Sequence, residues 1–362
     1  MAELDNAIPE HLRCQRSKPT KTPSADFAPA YPSYSVRFPE NAKDLVMAII
    51  GLQYKSTSDF ESRSRPDAPS KVTSLLKSER SPPSFSEWAA VTDNQGFYNI
   101  LAFAYWPSKD QYEAWASGSG FQTWWGQVQP DSYGHGLFLE LFFPSVDRLE
   151  TIFNTKTPEG SGHMRDSWSG EVQQHAYWGS MRDRLPAAQK DDLTSDAFET
   201  PSKINTNGLR EQRVRVSGKN NLTVIRSGQD WLATTAEERK LYLETMHPVL
   251  IKGMDFLRDQ GEEVGCYNCR FLVIVSSPSQ PKADQDRTFG LAYFDDLASL
   301  ESWCKDHPTH LAIFGGFFQY AKKLNNNLTL RVFHEVLVLK PEQQFFEYVG
   351  CHPRTGMLKG HK

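Results

Sequence analysis

The stretch Trp303–Val338, WCKDHPTHLAIFGGFFQYAKKLNNNLTLRVFHEVLV, contains three of the ten histidines of the chain. Proline is favoured at the first position of a helix because its missing N–H would be unpaired there anyway, so Pro308 marks a helix start. Apolar residues at helical spacing extend this helix to Lys323, and the run of three asparagines predicts a turn. The alternation that follows predicts a strand on whose apolar face His334 is the only ionisable residue. A histidine early in a helix and another on a buried strand can place two imidazoles around one cofactor.

The composition is that of a large globular chain without an electrostatic footprint for nucleic acid. Hydrophobic residues make up 39% and aromatic residues 12% of the 362 residues, and the net charge is −4. No run of about 18 apolar residues predicts a transmembrane helix. The N-terminus has no apolar signal core, and five cysteines form no dense framework. We therefore expect a cytoplasmic protein that binds neither nucleic acid nor membrane.

Two parts of the chain resemble each other. Ala-Tyr-Trp around Tyr105 is similar to Ala-Tyr-Phe around Tyr293, 188 residues later, and the same offset links Trp115 to Trp303. Each part has the order of strands and helices of a ferredoxin-like unit, in which an antiparallel sheet carries its helices on one face. The predicted fold class is therefore α+β, with two ferredoxin-like units in one chain.

The duplication predicts a division of the chain into five segments. An irregular N-terminal arm (1–40) precedes the first ferredoxin-like half (41–155). A connector (156–220) of weak periodicity leads to the second half (221–345), and an irregular C-terminal tail (346–362) follows. The arm is expected to wrap either the surface of its own chain or a partner subunit.

The histidines of the opening stretch can have structural roles instead of a ligand role. His307 and His310 are three residues apart, a spacing that metal ligands use on one helix face, but one of them can equally cap the helix while the other packs. His334-Glu335 begins like the zinc motif HExxH, which fails because its fifth position is Val338. A core histidine bonded to the backbone is the common alternative for His334.

The cysteine motif gives little information, and the nucleotide-binding and hydrolase motifs are missing from the sequence. Cys266 and Cys269 form a CxxC without a second pair, and Arg270 follows where covalent haem attachment would need a histidine. Two structural cysteines entering a strand are favoured by roughly four to one. Neither a phosphate-binding glycine motif nor the hydrolase motif GxSxG occurs.

Three further polar residues are candidates for a pocket. Arg184 lies near Trp178 in a stretch with glycine, where an inward guanidinium is plausible beside the usual surface ion pair. Ser227 ends a predicted strand and can line a pocket or simply form a turn. Glu150 is predicted on a helix over Val146–Phe153, where a solvated helix face is its ordinary role.

Six segments together resemble those of the haem-containing aldoxime dehydratases, also called phenylacetaldoxime dehydratases. The resemblance extends from about residue 40 to the C-terminus. The segments are YWGSMRDRLP (177–186), NLTVIRSGQDW (221–231), MDFLRD (254–259), HPTHLAIF (307–314), LRVFHEV (330–336) and FEYVGCHPRTGML (346–358).

This resemblance implies a fold, a cofactor and a set of site residues. The fold is a duplicated ferredoxin-like unit of the dimeric α+β-barrel kind, with haem b in the C-terminal half and commonly a homodimer. The matching motif positions are His310 as the proximal haem ligand, His334 as the distal catalytic histidine, Arg184 as the substrate-holding arginine and Ser227 as the pocket serine. Glu150 is the acidic residue of a segment that reads FET-like in the family and LET here.

The reaction that the resemblance implies is dehydration of an aldoxime, R–CH=N–OH, to a nitrile at ferrous haem. Other haem-binding α+β-barrel proteins are the alternative: an enzyme like chlorite dismutase, a monooxygenase-like enzyme, or a haem carrier or sensor. These would explain one histidine ligand but not the set of Arg184, Ser227 and His334.

Overall fold

The computed structural model describes residues 4–63, 67–195, 212–278 and 283–360. Residues 196–211 of the predicted connector lie outside this part of the chain. Within it, the strands are β1 (Val36–Arg37), β2 (Val46–Tyr54), β3 (Phe85–Thr92), β4 (Tyr98–Trp106), β5 (Gly136–Phe142), β6 (Leu149–Phe153), β7 (Ser167–Trp168), β8 (Arg213–Val216), β9 (Leu222–Asp230), β10 (Cys266–Val275), β11 (Ala283–Phe294), β12 (Arg331–Leu339) and β13 (Gln344–Val349).

The helices pack on the outer faces of the sheet strands. The predicted helix from Pro308 to Lys323 is confirmed as α9. The α-helices of the described residues are α1 (Thr57–Glu61), α2 (Ala68–Leu76), α3 (Lys109–Gly118), α4 (Phe121–Gln127), α5 (Ser180–Arg184), α6 (Ala236–Leu241), α7 (His247–Gln260), α8 (Leu297–Asp306) and α9 (Pro308–Lys323).

One large antiparallel sheet contains both ferredoxin-like units. Its order is β6-β12-β9-β11-β10-β3-β4-β2-β5-β13-β8. The group β12-β9-β11-β10 and the group β5-β2-β4-β3 each have the strand order fourth, first, third, second, which is that of a ferredoxin-like unit. The two groups pack face to face as well, since the rings of Phe103 and Phe289 meet edge to face at 5.0 Å. The duplicated α+β fold is therefore confirmed.

Each unit gives its fifth strand to the sheet of the other unit. β6 follows the first unit along the chain but pairs with β12, whereas β13 follows the second unit and pairs with β5. The predicted helix over Val146–Phe153 is wrong, because only Val146–Arg148 forms a single 3₁₀ turn before β6 begins. The prediction of an irregular tail is wrong only for its first four residues, Phe346 to Val349, which belong to β13. Pairing with a distant strand outweighs local preference in both places.

Two buried glutamates tie the units together inside the double sheet. The hydroxyl of Tyr105 donates to Glu335 of the other unit at 2.6 Å, and the hydroxyl of Tyr293 donates to Glu140 at 2.5 Å. Arg270 forms a bidentate ion pair with Glu140. Both tyrosines occupy equivalent positions of the repeat, so the duplication has produced the same cross-unit contact twice.

Removing either tyrosine hydroxyl should destabilise the protein. Tyr105→Phe and Tyr293→Phe each leave a buried carboxylate with one donor fewer, which costs about 1–3 kcal/mol of unfolding free energy. Urea denaturation measures the loss. Tyr34→Phe is the control, because this half-buried ring lies beneath Lys156 and should lose less than about 0.5 kcal/mol. Equal stability of all three variants would contradict the role given to these contacts.

Candidate active site

A cavity of about 330 Å³ lies between α7 and α9 on one side and the outer sheet face of β9, β11 and β12 on the other. Its volume is in the range of small-molecule and cofactor sites. The second ferredoxin-like unit therefore has a site between its helices and its sheet, on the face opposite to the packed interior.

His310 lies in the first turn of α9 and faces this cavity. Its ring packs edge to face on Trp303 at 4.7 Å and on Trp178 at 6.0 Å. Burial lowers the pKa of His310 to about 4, with the main chain of Cys304 opposing the shift and His334 adding to it. Its Nδ1 atom is buried and has no hydrogen bond of good geometry within the described part of the chain. The site therefore contains a neutral imidazole, the form that binds metals.

His307 caps the helix, which is the alternative to a ligand role that the sequence left open. It is the N-cap of α9, and its ring nitrogen Nδ1 accepts a hydrogen bond from the main-chain N–H of Thr309. The ring also stacks on Phe256 at 3.9 Å. The two histidines therefore do not form a pair of ligands.

His334, Arg184 and Glu150 form a compact buried group at the cavity wall. Arg184 donates from Nε and Nη2 to the Glu150 carboxylate at 2.6 and 3.0 Å. Nε2 of His334 is 2.8 Å from Nη2 of Arg184 and 3.1 Å from Oε1 of Glu150. When unprotonated, this nitrogen accepts from Arg184; when protonated, it donates to Glu150. The group therefore supports both protonation states of the histidine.

The strand register brings these residues together. In the pairing of β12 with β9, His334 lies opposite Ser227, and both line the cavity. In the pairing of β12 with β6, Glu150 lies opposite Val336, on the same face and two residues from His334. Glu150 reaches the site as part of the exchanged strand β6, and this is the physical correction to the predicted helix.

Arg184 reaches the site from the last turn of α5. Gly179 precedes this short helix with a φ of +92°, a left-handed conformation that suits glycine. Nη1 of Arg184 donates to the main-chain oxygen of Gln174 at 2.7 Å, which fixes the guanidinium on its outer side.

Charge determines the protonation of Glu150. Burial alone would raise its pKa, but the positive charge of Arg184, together with His334 and the hydrogen bonds from both, holds the pKa below the ordinary value of 4.5. The carboxylate is therefore ionised at neutral pH and neutralises the arginine in a site with little water.

The chain matches the family model of the haem-containing dehydratases over residues 48–357. It belongs to that family. An aliphatic aldoxime dehydratase of Pseudomonas chlororaphis and one of Rhodococcus erythropolis are each 35% identical over 360 residues, which is 98% of both chains compared. A phenylacetaldoxime dehydratase of a Bacillus species is 29% identical over 335 residues, or 90% of each chain.

Solved structures agree with this membership. A crystal structure of an aldoxime dehydratase in complex with butyraldoxime matches with a TM-score of 0.88 and 32% identity, and covers 99% of this chain and 96% of that chain. A second aldoxime dehydratase crystal structure matches with the same TM-score at 33% identity and covers 99% of both chains.

The cavity of this member of the haem-containing dehydratase family fits a haem. The wall formed by α7 is apolar, with Met246, Leu250 and Met254 lining it, as a porphyrin requires. The unpartnered imidazole of His310 offers a neutral nitrogen ligand, which is the usual proximal ligand type in haem proteins. Among the described residues no cluster of three or more His, Cys, Asp or Glu could hold a bare metal ion.

Two cavity residues were missed in the sequence. Tyr31 of the N-terminal arm lines the cavity and contacts Phe317 at 5.7 Å between ring centroids. His175 packs on Tyr31 at 5.1 Å, and burial together with the nearby Arg184 charge lowers its pKa to about 4. The arm therefore covers its own chain. No periodicity marks Tyr31, whereas a histidine in a glycine- and tryptophan-containing connector was a signal for His175.

The burial of the CxxC cysteines agrees with the structural role that the sequence favours. Cys266 and Cys269 lie as free thiols in β10, and burial raises the pKa of Cys266 to about 12 and that of Cys269 well above its ordinary value.

Within the described ranges, none of the helices combines the length and the apolar character that a bilayer span requires.

Replacing the site carboxylate should produce a pH-dependent loss of stability. Glu150→Gln leaves Arg184 buried without its counter-charge, which costs about 3–5 kcal/mol of unfolding free energy at pH 7. Because the folded-state pKa of Glu150 lies below 4.5, the stabilisation is present above that pH and disappears as pH falls through the folded-state value. Urea denaturation between pH 7 and pH 3 measures the gap between variant and wild type.

The matched control is Glu113→Gln on α3. Glu113 forms an exposed pair with Lys109 at 3.7 Å, and exposed pairs contribute about 0–1 kcal/mol. A gap for Glu150→Gln that stays constant with pH, or one no larger than that of the control, would contradict the ion-pair assignment.

Proposed function

We propose that this protein dehydrates aldoximes, R–CH=N–OH, to nitriles and water with haem b in the ferrous state. The observation that carries the proposal is the placement of His310 and His334 in one apolar cavity, with Arg184 and Glu150 bonded to the second histidine. The names of the related proteins support the substrate class.

His310 would hold the haem iron on the helix side of the cavity. Its neutral ring, unpartnered Nδ1 and aromatic surround suit a single axial ligand. The chemistry that ferrous haem would supply when bound is electron density for the breaking N–O bond. The other steps belong to side chains of the chain itself.

His334 would protonate the departing hydroxyl and later accept the proton from carbon. Breaking the N–O bond gives hydroxide unless a proton arrives, and a general acid supplies it. The same ring then takes the carbon-bound proton, so that the net reaction releases only water and leaves the histidine as it began. Because Nε2 is held by Arg184 and Glu150, the proton would be given and taken by Nδ1, the other ring nitrogen.

Arg184 and Glu150 would hold His334 in place and neutralise each other's charge. The carboxylate stabilises His334 while it is protonated, and the guanidinium supports it while it is neutral. Ser227, directly across the strand pair from His334, would donate its hydroxyl hydrogen bond to the oxime oxygen. This bond would hold the oxime oxygen beside the acid.

We also propose that the enzyme is a cytoplasmic homodimer. All five cysteines are free thiols, which suits a reducing compartment, and the family resemblance supports the dimer. Sedimentation analysis of the haem-loaded protein distinguishes a dimer from a monomer.

The variant His310→Ala should fail to retain haem. This change would remove the imidazole of α9 that faces the cavity and with it the proposed ligand of the iron. The ratio of Soret to protein absorbance after gel filtration measures the loss. His307→Ala is the control, because it removes only the helix cap and should keep a full complement of haem. Full haem content in His310→Ala would contradict the ligand assignment.

The proposed reaction is tested with haem-loaded protein under dithionite without oxygen. Butyraldoxime and phenylacetaldoxime are supplied separately, and nitrile formation is followed by gas chromatography. His334→Ala should keep its haem spectrum while turnover falls by about 100- to 10,000-fold, the contribution of a general acid–base group. His11→Ala, in the exposed part of the arm, should retain activity.

Two results would overturn the proposals. Near wild-type nitrile formation by His334→Ala would exclude that residue as the acid. An intact haem spectrum in the wild type without any nitrile would favour a haem carrier or sensor over a dehydratase.

A further inference from the structure

Part of the wall of the haem cavity comes from the N-terminal arm. We call residues 13–32 the strap; they form neither helix nor strand, and most of their side chains are exposed. The chain is fixed on both sides of the strap, since Ile8 is buried before it and Ser33 and Ser35 are buried after it. Tyr31, near the end of the strap, lines the cavity. The strap is therefore an irregular part of the cavity wall that is attached at both of its ends.

Asp183, in α5, holds the middle of the strap. Both oxygens of its carboxylate accept a hydrogen bond from the main-chain N–H of Lys21 at 2.9 Å. Its Oδ2 also accepts from the hydroxyl of Thr22 at 3.1 Å and from that of Tyr177, in the connector, at 2.7 Å. The residue is only 1% exposed. A buried carboxylate needs such donors, and the strap supplies those of Lys21 and Thr22.

Aromatic rings connect this carboxylate to the cavity. Tyr177 lines the cavity, and its ring meets that of Phe27 in the strap edge to face at 5.3 Å. Further along the strap, Tyr31 packs on His175 at 5.1 Å and on Phe317 of α9 at 5.7 Å. The strap thus joins the connector to α9 along one side of the cavity.

The strap is the part of the cavity wall that can open at the least cost in free energy. The sheet wall consists of β9, β11 and β12, whose backbones are bonded to one another, and the helix wall consists of α7 and α9. The strap is instead attached through side chains such as those of Asp183 and Gln189. Local opening costs least where buried apolar contacts are few and the backbone is exposed. A haem that enters or leaves the cavity would therefore pass beneath the strap.

The attachment of the strap and the catalytic group share one short helix. Asp183 directly precedes Arg184 in α5, and the guanidinium of Arg184 holds His334 in the haem cavity. Gly179, just before this helix, lies so close to the strap that a Cβ atom on it would be 2.7 Å from that of Lys21. The position of α5 thus determines both where the strap lies and where the distal histidine is held.

We propose that the strap is a cover of the haem cavity and that Asp183 is the positioning residue that keeps it closed. Breaking the bonds of Asp183 to Lys21 and Thr22 would let the strap move away and open the cavity for haem exchange. The inference depends on the haem of this family and not on the proposed reaction, so that either can fail without the other.

Transfer of haem from the full-length, haem-loaded protein to excess apomyoglobin tests the proposal, and the change in visible absorbance gives the rate of haem loss. Asp183→Ala should lose haem at least about tenfold faster than the wild type, because the donors that the buried carboxylate holds lose their acceptor. Asp183→Asn keeps one acceptor oxygen and should have an intermediate rate. Thr22→Val should be about fivefold faster, since it removes one hydrogen bond from the strap side and leaves α5 unchanged.

Asp26→Ala is the matched control, because it removes an exposed carboxylate from the strap itself and should lose haem like the wild type. Limited digestion with trypsin provides a second measurement, since cleavage of a locally opened segment follows the population of its open form. Cleavage after Lys21 should become faster in the variants of Asp183 and Thr22 by factors similar to those of haem loss.

Two results would overturn the proposal. The first is haem loss at the wild-type rate in both Thr22→Val and Asp183→Asn, which decide the question even if Asp183→Ala does not fold. The second is faster haem loss without faster cleavage after Lys21, because this combination indicates an opening elsewhere in the wall. Neither measurement uses an aldoxime, so that turnover is tested separately.

Discussion

The antiparallel pairing of β6 with β12 is the interaction on which the rest of the site depends. Backbone hydrogen bonds place a strand from the first ferredoxin-like unit at the edge of the second. The side chain of Glu150 therefore lies on the cavity face, two residues along from His334. Because side chains alternate along a strand, a shift of one residue would move Glu150 into the packed interior and leave Arg184 without a counter-charge. The same pairing thus sets the architecture of the sheet and the electrostatics of the cavity.

The interior behind β9 and β12 contains buried charges. Arg226 and Glu335 lie opposite each other on β9 and β12, one residue from Ser227 and His334 but on the other face. Buried ion pairs gain little net stability because desolvation offsets their attraction. Instead they select one register of the two strands, since a shift of one residue would leave both buried charges without a partner. The register that pairs Arg226 with Glu335 is therefore also the register that places Ser227 opposite His334.

The local sequence pattern predicted long, periodic elements correctly. It failed where pairing with a distant strand determines the secondary structure. The α9 helix was predictable because Pro308 and the apolar spacing agree, and His334 was notable as the one ionisable residue on its strand face. Glu150 was identified by its motif but assigned to a helix, since a five-residue segment carries too little periodicity to announce a strand whose partner is nearly 200 residues away. The place of Tyr31 in the cavity wall could not be predicted, because an irregular arm has no periodicity.

The exchange of fifth strands also has a consequence for biosynthesis. The outer edge of β5 stays unpaired until β13 has left the ribosome, and β13 ends only at Val349 of a 362-residue chain. During most of translation the first unit therefore exposes an apolar strand edge, the feature by which nascent chains join one another. The late strand β13 therefore protects the first unit from association as well as completing its sheet.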